Sequence, residues 1–573
     1  MARRGKRMMV RAAMGLLSML AGSLLLLRPF ASETLLVLIL VGALVIAAVA
    51  ESVQGTRDAP ARWILGAMYL GGAALLIVWP QIPLIAVGVV VGLLLIATGM
   101  LEIWSGLIST APLPSLLVGA ATGGMLVSLI TGVVTLIFGL VSGLWVDAVT
   151  YPMSLMLGAR MVLVGGGLLI DLWYPPTGFG RSTEHHRVIG RLIALLAATG
   201  LILAGINADG GRPSASDFYH VDLPQKPIPG QLLRAVATDP VGTSGSAIRL
   251  LYATTDVQGV AVLASGVLFV PGSTAGDSLP LVVWAHGETG SAVDCAPSVI
   301  GLAKGGLEIV PRLLSSGYAV FAPDGVGQGV SGAPSVLIGA DGGQAILDGI
   351  RAVGQVPGVR LGGAVVWGFS QGAHSALWAG QLQASYAPEV TLVGVAVDAP
   401  IFDPATVIAD QVARGAPTEL PSYVLTSYAA AYPEVHVSDY LSMPEQFLAA
   451  EVSARCGTAG WAVTNWAAVI GAHGAWSASP SSGALGVRLS QNATGMVPVP
   501  LFVTQGADDQ VVASSITDLA VAGRCHIGQV VEYRRYPGLG HLSPARADAP
   551  QLTDSLNWLS ARFAGQPAVN TCG

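Results

Sequence analysis

The stretch Gly368-Phe369-Ser370-Gln371-Gly372 decides the fold of the C-terminal part of this chain. An apolar run precedes it at 364–367, and an apolar, helix-forming run follows it at 373–378. A serine between a strand and a helix lies on a strained turn, and small residues two positions to either side leave room for that turn. The pattern therefore predicts a nucleophile elbow with Ser370 as the candidate catalytic nucleophile.

A serine hydroxyl needs a base to take its proton and an acid to orient that base. His541 follows the last predicted strand and is the candidate base, whereas His526 precedes that strand. The loop 505–512 holds two aspartates after a predicted strand. Asp509 is the favoured acid because it lies three residues past the glycine of this loop, and Asp508 is the alternative acid.

Two more aspartates follow predicted strands. Asp398 is a further candidate for the acid, and Asp324 is expected to be structural. Acyl transfer by a serine, a histidine and an aspartate needs neither a metal nor an organic cofactor, so none is predicted.

The negative oxygen that forms during acyl transfer has to be bound by backbone N–H groups. One donor is expected from Gln371, directly after the nucleophile. The second is expected from the loop His286-Gly287-Glu288-Thr289-Gly290, which follows a predicted strand at 281–285. Gly287 and Glu288 are the candidate donors, and His286 is expected to pack within the loop.

Short apolar runs alternate with helical stretches from about residue 230 to the end of the chain. This alternation predicts a largely parallel sheet with helices on both faces. It stops between about 400 and 498, which indicates a mostly helical cap whose aromatic residues are expected to form the cap core. The predicted strands are 261–270, 281–285, 318–322, 364–368, 392–397, 499–504 and 530–536, and the cap aromatics are Tyr423, Tyr428, Tyr432, Phe447, Trp461, Trp466 and Trp476.

The first two hundred residues have a different composition. Charged residues make up 11% of the chain, against roughly 25% in an ordinary soluble domain. Mean hydropathy is +0.64, and the apolar excess is confined to this part. About seven stretches have the length of a transmembrane helix. They lie at about 9–27, 33–50, 63–79, 83–101, 114–140, 148–170 and 191–207.

The basic residues predict the orientation of these spans. They cluster before span one, between spans two and three, and between spans six and seven, and basic clusters face the cytoplasm. An odd number of spans then places everything after about residue 208 outside the cytoplasmic membrane. The clusters are Arg3, Arg4, Lys6, Arg7 and Arg11; Arg57 and Arg62; and Arg181, Arg187 and Arg191.

All four cysteines lie in the part that is predicted to be outside. An even number of cysteines in an oxidising compartment indicates two disulfides, and four cysteines allow three connectivities. The cysteines are Cys295, Cys456, Cys525 and Cys572.

An internal repeat occurs in the membrane part. Pro29 and Pro80 are 51 residues apart, and so are Glu51 and Glu102, each glutamate ending an apolar run. This arrangement resembles the HdeD-like family of six-helix acid-resistance membrane proteins. The resemblance implies a six-helix membrane domain at 1–175. Outside that domain, residues 176–229 are predicted to form a cytoplasmic loop, a seventh transmembrane helix and a linker rich in Gly, Pro, Ser and Asp.

The motifs of residues 230–573 resemble the secretory lipase family, which is typified by Candida lipase A. They are the Trp284–Gly290 loop with Cys295-Ala296-Pro297-Ser298, the Gly368–Gly372 turn, the Gly506–Val512 loop and His541. The resemblance implies lipase or esterase activity with Ser370, Asp509 and His541 as the triad. It also implies that Cys295 pairs with Cys456 and Cys525 with Cys572. The chain departs from the family in its fused membrane part and in Glu288, where many relatives carry threonine.

The sequence thus predicts an α-helical transmembrane bundle of about seven spans followed by an α/β-hydrolase domain with a mostly helical cap. The predicted function is a membrane-anchored, extracytoplasmic serine hydrolase that cleaves acyl esters or lipids beside the bilayer. The alternative is a membrane stress-response or transport protein with a non-catalytic outer domain. A net charge of −6 gives no reason to expect nucleic acid as a partner.

Overall fold

The computed structural model divides the chain into two compact units, Met1–Gly211 and Arg212–Gly573. It describes residues 2–27, 33–54, 60–78, eight single positions between 158 and 172, 215–239, 245–272, 278–302, 305–415, 419–454, 456, 476–541 and 549–572.

The N-terminal unit begins with three helices, α1 (Ala2–Leu27), α2 (Glu33–Gln54) and α3 (Pro60–Val78). Among the described residues, one helical stretch is long and apolar enough to cross a membrane, Met8–Leu26 in α1. Shorter apolar stretches are Leu38–Val49 in α2 and Gly66–Leu75 in α3. The predicted spans at 83–101, 114–140 and 191–207, most of the span at 148–170 and the second copy of the repeat lie outside the described residues.

Glycines bring α1 close to the segment around 158–169. A methyl group on Gly22 would lie 2.7 Å from the Gly158 carbonyl oxygen, and one on Gly165 would lie 2.6 Å from the Gly15 carbonyl oxygen. Gly22 faces Gly158, whereas Gly15, seven residues earlier, faces Gly165, seven residues later. The two segments therefore run antiparallel. Small residues that allow two backbones to approach in this way are typical of helix contacts in membranes.

The C-terminal unit is built on a nine-stranded sheet with the order β1-β2-β3-β5-β4-β6-β7-β8-β9. The strands β5, β4, β6, β7, β8 and β9 are parallel, and β1, β2 and β3 join them as an antiparallel extension. The strands are β1 Leu232–Thr238, β2 Gly245–Thr255, β3 Ala261–Pro271, β4 Leu279–Ala285, β5 Ala319–Pro323, β6 Leu361–Phe369, β7 Leu392–Asp398, β8 Leu501–Gly506 and β9 Val531–Tyr536.

Helices cover both faces of this sheet because successive strand side chains point to opposite sides. One core contains Val283, Val366 and Leu377, and the other contains Val282, Trp284 and Trp367. The first face carries α5 (Gly339–Val353), α6 (Gln371–Tyr386) and α11 (Ser514–His526), and the second carries α4 (Val310–Ser315) and α12 (Pro550–Phe563). This mixed sheet between helical layers is an α/β-hydrolase architecture, as the sequence predicts.

The cap inserts between β7 and β8, and its described part is helical. It has its own core, in which Tyr423, Tyr428 and Tyr432 are buried and Trp476 is partly buried. Trp461, Trp466 and the side chain of Phe447 lie outside the described residues. The helices are α7 (Pro404–Arg414), α8 (Leu420–Ala431), α9 (Met443–Ser453) and α10 (Gly483–Gln491).

Two features of this unit differ from the expectation. The prediction omitted β1 and β2, whose apolar runs are interrupted by Arg234 and Arg249. Residues 215–229, which their composition assigned to a linker, pack on the unit instead. Tyr219 is buried there, and the Arg249 guanidinium lies 5.4 Å from the centre of the Phe218 ring. An aromatic pair in a polar stretch was the signal for this packing.

Candidate active site

The backbone at Ser370 turns sharply between β6 and α6. Its φ of 53° and ψ of −117° lie outside the regions that ordinary residues adopt. A methyl group on Gly368 would lie 2.3 Å from the Gly372 carbonyl oxygen, and one on Gly372 would lie 2.1 Å from the Ala285 carbonyl oxygen. The strained serine is therefore possible only with glycine at both positions, and the turn presents the serine hydroxyl at the carboxyl edge of the parallel strands.

His541 connects the serine to an aspartate. Its Nε2 lies 2.9 Å from Ser370 Oγ, and its Nδ1 lies 2.8 Å from Asp509 Oδ2. With the proton on Nδ1, the ring donates to the aspartate and accepts from the serine hydroxyl, which is the arrangement that makes a serine nucleophilic. The structure thus brings together the three residues that the sequence singled out.

The second aspartate of the loop has a different environment. Asp509 is buried, and its Oδ1 accepts the N–H groups of Val511 and Val512 at 2.8 Å. Asp508 is exposed, and its N–H donates to the carbonyl oxygen of Leu539. Of the two neighbours, Asp509 is the one that holds the histidine.

One residue that orients this aspartate was not identified from the sequence. Gln505, buried at the end of β8, donates from Nε2 to Asp509 Oδ2 at 2.9 Å and accepts from Thr517 Oγ1 at 2.8 Å. The amide thereby fixes the carboxylate that holds His541. A long polar side chain directly after the apolar run 501–503 and Thr504 was the available signal.

Asp398 lies at the end of β7 and holds neighbouring strands together. Its carboxylate accepts hydrogen bonds from Trp367 Nε1 at 2.8 Å and from the Thr504 hydroxyl, and its carbonyl oxygen accepts the N–H of Ser370. Burial raises its pKa to about 6. These contacts occupy the carboxylate, so Asp398 supports the turn and does not serve His541.

Asp324 bonds to the hydroxyls of Ser265 and Ser298 and to the N–H of Ser298. Burial raises its pKa to about 6 as well. These bonds agree with the structural role that is expected for it.

The candidate oxyanion loop, residues 286–290, lies against the nucleophile turn. A methyl group on Gly287 would lie 2.7 Å from the Phe369 ring. Gln371 is the first residue of α6, so its N–H has no acceptor within the helix. The loop at Gly287 therefore lies against Phe369, the residue before Ser370.

Glu288 of this loop has an unusual environment. One of its carboxyl oxygens, Oε1, is buried without a hydrogen-bond partner among the described residues. Burial, with a smaller contribution from Glu419, raises the pKa of Glu288 to about 8. The side chain is therefore un-ionised at neutral pH.

Among the described residues, the rings of the other histidines near the sheet make no hydrogen bond to Ser370. The Nδ1 atom of His286 lies 2.6 Å from the Gly287 carbonyl oxygen, and Nε2 of His374 lies 2.8 Å from that of Asn492. Burial lowers the pKa of both rings to about 4. His526 is exposed at the end of α11. Each of them lacks the contacts that His541 makes.

Two disulfides join distant parts of this unit, Cys295–Cys456 and Cys525–Cys572. This is the connectivity that the resemblance implies. The first links the segment after the oxyanion loop to the end of α9 in the cap. Ser291 supports this link by donating to the Ser453 carbonyl oxygen at 2.9 Å.

Comparison with known proteins finds relatives of this unit. The family model "Secretory lipase" matches residues 303–463 and 483–571. "Lipase 10" of Candida albicans is 26% identical over 336 residues, which are 51% of this chain and 67% of the lipase. A "Probable inactive lipase" of Mycobacterium tuberculosis is 29% identical over 218 residues, 33% of this chain and 46% of that protein. The chain thus spans about half to two thirds of these relatives.

A solved structure has the same fold. The crystal structure of Candida antarctica lipase A aligns with a TM-score of 0.53 at 21% identity, over 63% of this chain and 88% of the lipase. The residues that the family model matches all lie in the C-terminal unit, and the HdeD-like resemblance of the N-terminal unit stays a prediction from the sequence.

Proposed function

We propose that this chain, which its relatives place among the carboxylic ester hydrolases, cleaves acyl esters at Ser370 through an acyl-enzyme. The observation that carries the proposal is the unbroken hydrogen-bonded chain from Ser370 through His541 to Asp509. Acyl esters and lipids are the proposed substrates.

Each residue has one task in the proposed reaction. His541 Nε2 takes the proton of Ser370 as Oγ attacks the ester carbonyl carbon, and it returns that proton to the leaving alcohol oxygen. Water then attacks the acyl-enzyme, gives its proton to His541 and releases the acid, and Ser370 regains its hydrogen. Asp509 holds the ring throughout and stabilises the imidazolium that forms twice in each cycle.

The oxyanion is proposed to bind between α6 and the oxyanion loop. The Gln371 N–H is one donor, and an N–H of Gly287 or Glu288 is the other. Loss of one such donor typically costs ~10²–10³-fold in kcat. An un-ionised Glu288 suits this position, because a carboxylate there would repel the developing negative charge.

The N-terminal part is proposed to be a multi-pass membrane anchor of about seven spans, with the hydrolase unit outside the cytoplasm. The apolar helix Met8–Leu26 supports this, and so do Leu16 and Leu20 of α1, which are about 60% exposed. The disulfides of the hydrolase unit fit an oxidising compartment. The topology is tested by fusing, after residue 206, a reporter that is active only outside the cytoplasm. An inactive fusion would place the hydrolase unit on the cytoplasmic side instead.

The catalytic proposal is tested on the full-length protein in detergent. Wild type should label with a fluorophosphonate and hydrolyse a p-nitrophenyl ester, and Ser370→Ala should lose both. Ser385→Ala, at an exposed position on the same helix, is the matched control and should behave as wild type. Full turnover by Ser370→Ala would refute the assignment.

A second candidate function is a membrane stress-response or transport protein whose outer domain binds without catalysing. The repeat with Glu51 and Glu102 and the mycobacterial relative that is described as inactive favour it. A survival phenotype in acid that is lost on changing both glutamates, but kept by Ser370→Ala, would support this function over the first.

A further inference from the structure

The carboxylate that holds His541 is bound at both of its oxygen atoms. Asp509 Oδ1 accepts the N–H groups of Val511 and Val512, and Asp509 Oδ2 lies 2.8 Å from His541 Nδ1. The two N–H bonds fix Oδ1 alone, so they leave the carboxylate able to pivot about that oxygen. Such a pivot would carry Oδ2 away from the ring, and a further donor to Oδ2 would prevent it.

Gln505 supplies this further donor. Its Nε2 lies 2.9 Å from Asp509 Oδ2, so the amide and the imidazole bind the same oxygen. The amide comes from the end of β8, and the imidazole comes from the loop after β9. Gln505 and Asp509 are both buried, so bulk water does not compete for the bond between them.

The surroundings of the amide decide which of its ends faces the aspartate. Its Nε2 has three acceptors around it, namely Asp509 Oδ2 and the carbonyl oxygens of Gly506 and Val512. Its Oε1 accepts from the Thr517 hydroxyl at 2.8 Å. A reversed amide would place an oxygen, which donates no hydrogen bond, against three acceptors. Thr517 of α11 therefore holds the amide with its N–H groups toward Asp509.

We propose that Gln505 is a positioning residue that keeps Asp509 Oδ2 opposite His541 during turnover. The inference rests on the proposed function and adds a residue to the machinery of that reaction. The ring becomes an imidazolium twice in each proposed cycle, and each time its Nδ1–H needs Oδ2 in place. Because Gln505 acts through the aspartate, its loss should lower kcat and leave KM nearly unchanged.

The size of the effect on kcat follows from one hydrogen bond to a charged group. Such a bond corresponds to about 10- to 150-fold in rate. Loss of the aspartate's own function costs ~10⁴-fold, and Gln505→Leu keeps the aspartate. In the full-length protein in detergent, Gln505→Leu should therefore lower kcat for p-nitrophenyl butanoate by about 10- to 150-fold at every pH.

Gln505→Glu gives a readout that loosened packing alone would not change. The introduced carboxyl group has the shape of the amide and, when protonated, donates a hydrogen bond as the amide does. Burial and the neighbouring aspartate raise the pKa of such a group. Once it ionises, the donor is lost and two carboxylates face each other. The ratio of the variant's kcat to that of wild type should therefore be highest at pH 6 and fall toward the Gln505→Leu value as the pH rises to 9.

Gln529→Glu is the matched control for this substitution. Gln529 is also buried. Its amide accepts from the Val497 N–H at 2.8 Å and donates to the Val497 carbonyl oxygen at 2.6 Å. Both residues precede their strands, β9 and β8, at the opposite end of the sheet from Ser370. Gln529→Glu should keep a kcat ratio near one from pH 6 to 9.

The other titratable and charged groups around Gln505 are the same in wild type and variants. They lie on β7, α7, β9, α11 and the loop after β8. They are Asp398, Arg414 with Asp410, Arg535 with Asp518, Asp508, Asp509 and His541. Their titration affects both proteins alike and cancels in the ratio, so a fall in the ratio reports on the introduced carboxyl group.

Three results would overturn the positioning role and leave the proposed function in place. They are a kcat of Gln505→Leu within about twofold of wild type, a Gln505→Glu ratio that does not fall with pH, and an equal fall in Gln529→Glu. If Gln505→Leu does not fold, Gln505→Glu decides the question, because it is compared with itself at different pH. A wild-type protein that does not hydrolyse the ester would instead refute the proposed function, and the positioning role with it.

Discussion

Replacing Cys295 and Cys456 together by alanine tests whether the cap holds the oxyanion loop in position. The disulfide joins the loop segment to the cap, and three further contacts lie beside it. Thr289 donates to the Cys295 carbonyl oxygen, Ser291 donates to Ser453, and Gly290 pairs with Cys456 as an isolated β-bridge. Without the covalent link, the loop would be held by these weaker contacts and by Gln328, which donates from Nε2 to the Gly290 carbonyl oxygen at 2.6 Å.

The cost in stability follows from the length of chain that each disulfide closes. Cys295 and Cys456 are 161 residues apart, and Cys525 and Cys572 are 47 apart. In the chain-entropy treatment these lengths correspond to about 5 and about 4 kcal/mol of unfolding free energy. The two disulfides should therefore stabilise the unit to a similar extent, which makes the second a matched control for the first.

The effect on activity should separate the two pairs. Displacement of oxyanion donors or of a bound substrate by about 1 Å costs up to ~10²-fold in rate, so Cys295→Ala/Cys456→Ala should lose at least ~10-fold in kcat/KM. Cys525→Ala/Cys572→Ala should change kcat/KM by less than about twofold, because that disulfide joins the end of α11 to the chain terminus. Thermal unfolding and hydrolysis of p-nitrophenyl butanoate, assayed well below both transitions, give the two quantities.

Two results would contradict this reasoning. One is an equal loss of kcat/KM in both double variants, which would mean that general loosening lowers activity. The other is wild-type kcat/KM in Cys295→Ala/Cys456→Ala, which would mean that the loop keeps its position without the cap.

Three more predictions use substitutions elsewhere in the hydrolase unit. Asp509→Asn should lower kcat by ~10⁴-fold, whereas Asp508→Asn at the exposed neighbour should stay near wild type in the same ester assay. The pKa of Glu288 is raised from 4.5 to about 8 in the folded chain, so its contribution to stability is present below pH 4.5 and is lost as the pH rises through 8. Between pH 4.5 and 8, this group should lower the unfolding free energy of wild type by up to about 1.4 kcal/mol per pH unit, and Glu288→Gln should lack that decrease. Plots of unfolding free energy against pH that run parallel for wild type and variant from pH 5 to 8 would contradict this. Gly372→Ala should lose at least ~10-fold in kcat/KM because its methyl group would lie 2.1 Å from a carbonyl oxygen. Gly523→Ala, with open space around it, should raise the free energy of unfolding by ~0.5–1 kcal/mol in thermal or denaturant unfolding.

Local signals in the sequence were sufficient to single out the three residues that the structure brings together at the candidate site. The turn at Ser370 needs glycine on both sides for steric reasons that act within five residues. The loops of Asp509 and His541 each follow an apolar strand, and parallel strands bring their carboxyl ends to one edge. The chain order of serine, acid and histidine then limited the choice to a few residues.

Features that depend on contacts between distant segments were not predictable in this way. The position of β4 between β5 and β6 follows from pairings that no local pattern encodes. Glu288 could be identified from the sequence as part of the oxyanion loop. Its raised pKa depends in part on Glu419, more than a hundred residues further along the chain. The same holds for Gln505, whose role becomes visible only beside Asp509.

The last residues of the chain have a consequence for the sheet as a whole. Residues 570–572 run along β9, the final strand in the sheet order. The Thr571 N–H donates to the Val531 carbonyl oxygen at 2.8 Å, and the Tyr533 N–H donates to the Thr571 hydroxyl at 2.9 Å. An open edge strand is a template on which a second chain can add a strand and begin aggregation. The tail occupies hydrogen-bonding groups of Val531 and Tyr533, and Cys572 fastens it to α11, so the first half of this edge is covered against neighbouring copies.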